Sequence, residues 1–129
     1  MKAEIILKTK KPNEAKIFYS IIGMKWLGGE DLVDEIKEFE DEAGLPDLIG
    51  KIGNMEVNFF IDRASKDITS GSPVLLFEAD SEEDLKLIIT KLKTENLYVK
   101  VESEKPFCEE YLLDPDGHKI ALCAASPFS

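Results

Sequence analysis

The sequence predicts an α+β fold made of two copies of one module, a strand and a helix followed by three more strands. Three observations predict it. Near the end, Glu109–Cys123 reads EEYLLDPDGHKIALC, with short apolar runs at Tyr111–Leu113 and Ile120–Leu122 flanking Asp114-Pro115-Asp116-Gly117. Proline presets φ and glycine accepts positive φ, so the centre is a turn and the flanks are strands of a hairpin. A strand-and-helix pattern also occurs twice at one constant offset, which carries Ala15, Phe18, Tyr19 and Ile22 onto Leu85, Ile88, Ile89 and Leu92, and Glu4 onto Val74. Between the copies lies Ala64–Ser72 (ASKDITSGS), polar and rich in small residues, which reads as a linker. The chain is therefore expected to be a single domain, 1–129, with module 1 at 1–63, linker 64–72 and module 2 at 73–129.

Each element has its own reason. Ala3–Thr9 (AEIILKT) is short, apolar and β-branched, a strand. Pro12 opens a helix whose stripe is Ala15, Phe18, Tyr19 and Ile22, with Gly23 as its stop. Met24–Leu27 reads as a short strand. Glu30–Gly44 holds eight acidic residues against one lysine, yet Leu32, Ile36, Phe39 and Ala43 keep a helical stripe. It is predicted as an acidic amphipathic helix, either a solvated face over the core or a lid on a cavity. Leu48–Ile52 and Met55–Asp62 form two strands joined at Gly53-Asn54. In the second of these, Met55, Val57, Phe59 and Ile61 share one face, and Glu56, Asn58, Phe60 and Asp62 the other. In the second copy Pro73–Ala79 is a strand. Ser81 with Asp84 resembles a capping box, the stripe Leu85, Ile88, Ile89 and Leu92 marks a helix, and Leu97–Glu102 is a strand before the hairpin.

Composition narrows the function classes. The chain has 129 residues and a formal net charge of −10. That length supports one core, and that charge argues against nucleic acid or an anionic membrane surface as partner. No long apolar run spans a membrane, and the first residues hold no signal-type apolar segment, so the expected location is the cytoplasm. Two cysteines, Cys108 and Cys123, are expected there as free thiols, opposite each other if Asp114 pairs with Gly117. The single histidine, His118, lies in the turn, where it either stabilises the turn or is exposed.

The terminal hairpin, the repeat, and the opening Glu4–Tyr19 with Ile22-Gly23-Met24 after it resemble the vicinal oxygen chelate superfamily. That superfamily includes glyoxalase I, bleomycin-resistance proteins and extradiol dioxygenases. The resemblance covers nearly the whole chain and implies two βαβββ modules forming a curved sheet. In the metal-using members four inward-facing residues hold a divalent cation that acts as a Lewis acid. The resemblance places those positions on Glu4, Asn58, Val74 and Ala121. Valine and alanine cannot coordinate a metal, so the pattern implies no catalytic residue, metal or cofactor, and resembles the metal-free, bleomycin-resistance-like members, which are homodimers. The competing readings are a metal-dependent lyase, isomerase or dioxygenase, and a structural or regulatory dimer without a ligand.

Strand alternation separates two faces. Ile5, Leu7, Val57, Phe59, Leu75, Phe77, Ile120 and Leu122 should meet the helices. The other face should present Glu4, Ile6, Asn58, Phe60, Val74, Leu76, Glu110, Leu112, Ala121 and Cys123. This is an apolar wall with a few polar groups, suited to a neutral or cationic small molecule, or else a second core or a dimer contact.

Overall fold

The computed structural model describes residues 4–27, 48–61, 74–102 and 110–125. The chain divides into two compact units, Met1–Ile68 and Thr69–Ser129. The acidic stretch Glu30–Gly44, the linker 64–72 and Cys108 lie outside the described residues. Among the described residues, no helix is long and apolar enough to cross a membrane.

In the first unit the elements are β1 (Glu4–Thr9), α1 (Pro12–Ile22), β2 (Lys25–Trp26), β3 (Leu48–Ile52) and β4 (Met55–Ile61). The sheet order is β1-β4-β3-β2, with β1 parallel to β4 and the other pairs antiparallel. The Thr9 hydroxyl accepts the Lys11 N–H at 3.0 Å and ties the strand to the helix entry, where Pro12 occupies the first turn. The predicted stripe Ala15, Phe18, Tyr19 and Ile22 is the buried face of α1. Leu7, Leu48, Val57 and Phe59 of the sheet are buried as well, and the rings of Tyr19 and Trp26 lie 5.1 and 5.6 Å from that of Phe59. Each such side chain contributes about 1.5–3 kcal/mol by leaving water. Gly50 makes room for this packing: a Cβ there would overlap the Met24 sulfur, which would have to move.

In the second unit the elements are β5 (Leu75–Ala79), α2 (Glu82–Thr94), β6 (Glu110–Leu113) and β7 (Lys119–Ala124), with sheet order β5-β7-β6. The Ser81 side chain caps α2 by accepting the Asp84 N–H at 3.1 Å. Acidic residues fill the first turn, and Lys91 and Lys93 the last, as the helix dipole favours. The predicted strand Leu97–Glu102 is reduced to a bridge between Lys100 and Leu112, flanked by Val101 N–H to Tyr111 C=O and Leu113 N–H to Val99 C=O, each at 2.9 Å. The start of that segment belongs to the helix end instead. Asn96 takes a left-handed φ of 58°, and the Leu97 N–H bonds the Leu92 carbonyl at 2.8 Å. With Val99–Val101 beside β6, the second sheet repeats the strand order of the first.

The hairpin loop is one residue longer than a pairing of Asp114 with Gly117 would make it. Asp114 N–H bonds the His118 carbonyl, and the Asp114 carboxylate accepts the N–H groups of Asp116 and His118 at 2.9 and 2.8 Å. Gly117 supplies the φ of 90° that closes the loop. The register is therefore Glu110 with Leu122 and Leu112 with Ile120. A one-residue shift reverses the faces of a whole strand. Glu110 and Leu112 thus lie on the α2 side of the sheet, not on the open side where strand alternation alone had placed them. His118 is only 3 % exposed, so the turn residue is buried rather than solvated. Cys123 is disulfide-bonded, which corrects the free thiol expected there. Pairing depends on how closely two sulfurs approach in space, and spacing along the chain does not report that.

Candidate functional site

The first sheet has one face toward α1, and on the opposite, open face no helix among the described residues of this unit packs. Partners in register share a face, so the open face carries Glu4, Ile6 and Lys8 of β1 beside Glu56, Asn58 and Phe60 of β4. Ile49 and Lys51 of β3 complete it. The four residues assigned here from the sequence, Glu4, Ile6, Asn58 and Phe60, are together. Ile49 and Lys51 were missed, although the alternation of Leu48–Ile52 would have found them. Ile6 is 65 % exposed on this face, whereas Asn58 is 9 % exposed.

Asn58 and Glu4 make the polar centre. The Asn58 Nδ2 group donates to Glu4 Oε2 at 2.7 Å. A carboxylate accepts only, so the amide nitrogen must face it and Asn58 Oδ1 must point away. That oxygen is buried, and among the described residues no group donates to it. The centre therefore offers acceptors, a buried carbonyl and the second carboxylate oxygen, beside the apolar surfaces of Ile6 and Phe60.

In the second unit the open face holds Leu76 of β5 with Ala121 and Cys123 of β7, and Val74 leads into it. Val74 and Leu76 are 52 % and 63 % exposed. Tyr111 and Leu113 share this face through their pairing with Ala121 and Lys119, and they replace Glu110 and Leu112 there. Knowledge of the loop length would have identified them.

On the α2 side, Glu110 joins a polar cluster. The Tyr98 hydroxyl donates to Glu110 Oε2 at 2.8 Å, and Lys100 Nζ lies 3.9 Å from the same oxygen. Lys93 Nζ stands 4.9 Å from the centre of the Tyr98 ring. Burial, then the hydrogen bond to Glu110 and its negative charge, push the Tyr98 hydroxyl up to about 12.

A divalent metal does not fit the four positions the resemblance supplies. Val74 and Ala121 have no ligating atom, and Glu4 and Asn58 are bonded to each other. Among the described residues no cluster of three or more His, Cys, Asp or Glu is placed to hold an ion.

No family model matches the sequence, and no curated protein does. Solved structures match it over nearly its whole length. A lactoylglutathione lyase from Agrobacterium tumefaciens superposes with TM-score 0.60 at 17 % identity, covering 97 % of this chain and 93 % of its own. A glyoxalase/bleomycin resistance protein from Albidiferax ferrireducens T118 gives 0.61 at 17 % identity, with 96 % and 98 % covered. The fold is that of the vicinal oxygen chelate superfamily. A hypothetical protein from S. aureus shares it with TM-score 0.63 at 12 % identity, 97 % of each chain being covered. An oxidase, ChaP-H2, also has it at 0.63 and 16 % identity, covering 98 % and 94 %. Lyase, resistance protein and oxidase thus share the vicinal oxygen chelate fold, so the fold does not select a chemistry and the site must.

Proposed function

We propose that the chain is a metal-free small-molecule binding protein of the bleomycin-resistance type, acting as a homodimer, with its ligand held on the open face of the first sheet. The observation that carries this reading is the Asn58–Glu4 hydrogen bond with Asn58 Oδ1 left over. A metal centre needs these two side chains as ligands, whereas here they form a neutral-donor, charged-acceptor pair. A buried carbonyl without a donor costs about 1–3 kcal/mol, which a ligand N–H or O–H would recover. The ligand is neutral or cationic, because the centre presents acceptors and one carboxylate. Phe60 offers a ring for stacking. The electrostatic preference is confined to Glu4 and Asn58, since Lys8 and Lys51 also stand on this face.

The test is a thermal-shift screen of the dialysed protein against planar cationic and neutral amines and their anionic analogues, with elemental analysis alongside. A ligand at 100 times its Kd should add about 2.7 kcal/mol of stability. The expected result is a shift with donor-bearing compounds, lost in Asn58→Leu, and no stoichiometric metal. Retained zinc, nickel, manganese or iron with loss of the shift on chelation would overturn it.

A further inference from the structure

The two units solve one packing problem in opposite ways. Constant offset and strand register make three positions of the first unit equivalent to three of the second. Tyr19 corresponds to Ile89. Leu48, opposite Phe59, corresponds to Glu110, opposite Leu122. Trp26, opposite Gly50, corresponds to Lys100, opposite Leu112. In the first unit Tyr19 and Leu48 are fully buried, and the rings of Tyr19 and Trp26 close over Phe59. In the second, a shorter aliphatic side chain and two charged ones stand at those places. A groove of about 530 Å³ opens at Ile89 and Glu110 along the flank of α2, lined also by Leu85, Lys86 and Lys93 among others.

The groove is chemically organised. Leu85 and Ile89 give it an apolar strip. Glu110, its side chain 20 % exposed, is held by Tyr98 and Lys100 through Oε2, and among the described residues Oε1 is left as an uncommitted acceptor. Lys93 is held over the Tyr98 ring, while Lys86, seven residues earlier on the same helix flank, makes no ion pair among the described residues. A partly buried carboxylate calls for a cationic donor, and an unpaired lysine nearby calls for an anion. A simple cation would meet Lys86 and Lys93, and a simple anion would meet Glu82 and Glu110. Only a molecule carrying both charges satisfies both ends.

We propose that this groove binds a small zwitterion of the free amino-acid type with an aliphatic side chain. Its ammonium donates to Glu110 Oε1, its carboxylate pairs with Lys86, and its side chain covers Leu85 and Ile89. The groove lies within the second unit and does not depend on the open-face site of the first.

The experiment uses the full chain labelled with ¹⁵N and titrated with L-leucine, N-acetyl-L-leucine and L-leucinamide. The acetyl derivative lacks the cation and the amide lacks the anion. Leucine should give saturable shifts of the backbone amides from Leu85 to Lys93. Each derivative should bind about tenfold more weakly or worse, the loss expected for one charged hydrogen bond. Glu110→Gln and Lys86→Ala should each cost leucine a similar factor, while Glu4→Gln should cost nothing. Lys86 is exposed, so its variant reports even if Glu110→Gln folds poorly. Absence of saturable shifts, equal binding of all three probes, or unchanged leucine affinity in Lys86→Ala would overturn the proposal.

Discussion

Asn58 Nδ2 donates to Glu4 Oε2 at 2.7 Å, and this bond fixes which end of the amide is left without a partner among the described residues. The first prediction follows from that asymmetry. Asn58→Leu removes the orphaned buried acceptor and fills the same space with apolar atoms, so stability should be unchanged or rise by up to about 2 kcal/mol. Ligand binding on the open face should be lost. Chemical denaturation gives the first quantity and the thermal-shift response the second. A variant that loses stability but keeps binding would show that the amide serves the fold rather than a ligand.

Tyr98 should titrate late. Its hydroxyl is raised to about 12 by burial, by its hydrogen bond to Glu110 and by that carboxylate's charge. A group whose folded pKa lies above its unfolded value of about 10 favours folding fully below that value, and the contribution is lost as pH rises from there through the folded pKa. Absorbance at alkaline pH, with Tyr98→Phe subtracted to remove Tyr19 and Tyr111, isolates the transition. Glu110→Gln should move it toward the ordinary range but not all the way, because burial remains the larger cause. An unmoved transition would show that Glu110 does not hold the ring as described.

Gly50→Ala tests the packing of the first unit. Its Cβ would meet the Met24 sulfur and approach Trp26, whose indole N–H donates to the Ser20 hydroxyl at 2.7 Å. Overpacking of this kind costs about 1–3 kcal/mol. The loss should appear as a lower denaturation midpoint with an unchanged slope. It should be partly relieved by Met24→Ala in the same chain.

The sequence was most legible where periodicity decides structure. The stripe Ala15, Phe18, Tyr19 and Ile22 is the buried face of α1, and the helix-facing residues of β1, β4, β5 and β7 alternate as expected. Two features were beyond it. The strand expected over Leu97–Glu102 starts late, because Asn96 bends the chain so that Leu97 still bonds back to the helix. Glu110 and Leu112 lie on the face opposite to the expected one because the loop around Asp114 takes in His118, which residue preferences for tight turns do not reveal. The site was legible to the same degree: Glu4 and Asn58 could be placed on one face, but their bond to each other could not.

The last prediction concerns Asp114, because the register of β6 and the face of Glu110 depend on it. Asp114 is 4 % exposed, and its Oδ1 accepts both the Asp116 and His118 N–H groups. Asp114→Ala leaves those donors without that acceptor inside a loop that also buries His118. Hydrogen bonds to a charged group contribute about 1.5–3 kcal/mol each, so the loss should be on the order of 3 kcal/mol. Asp114→Asn keeps a carbonyl oxygen in place and should lose less than half of that. The diagnostic readout is Tyr98. If the weakened loop allows β6 to slip by one residue, Glu110 moves to the other face and Tyr98 loses its partner. Its titration in Asp114→Ala should then fall toward about 10, the ordinary tyrosine value, while in Asp114→Asn it should stay high. Equal stability loss in the two variants, with Tyr98 unmoved in both, would show that the loop is held by its other contacts and that the carboxylate does not set the register.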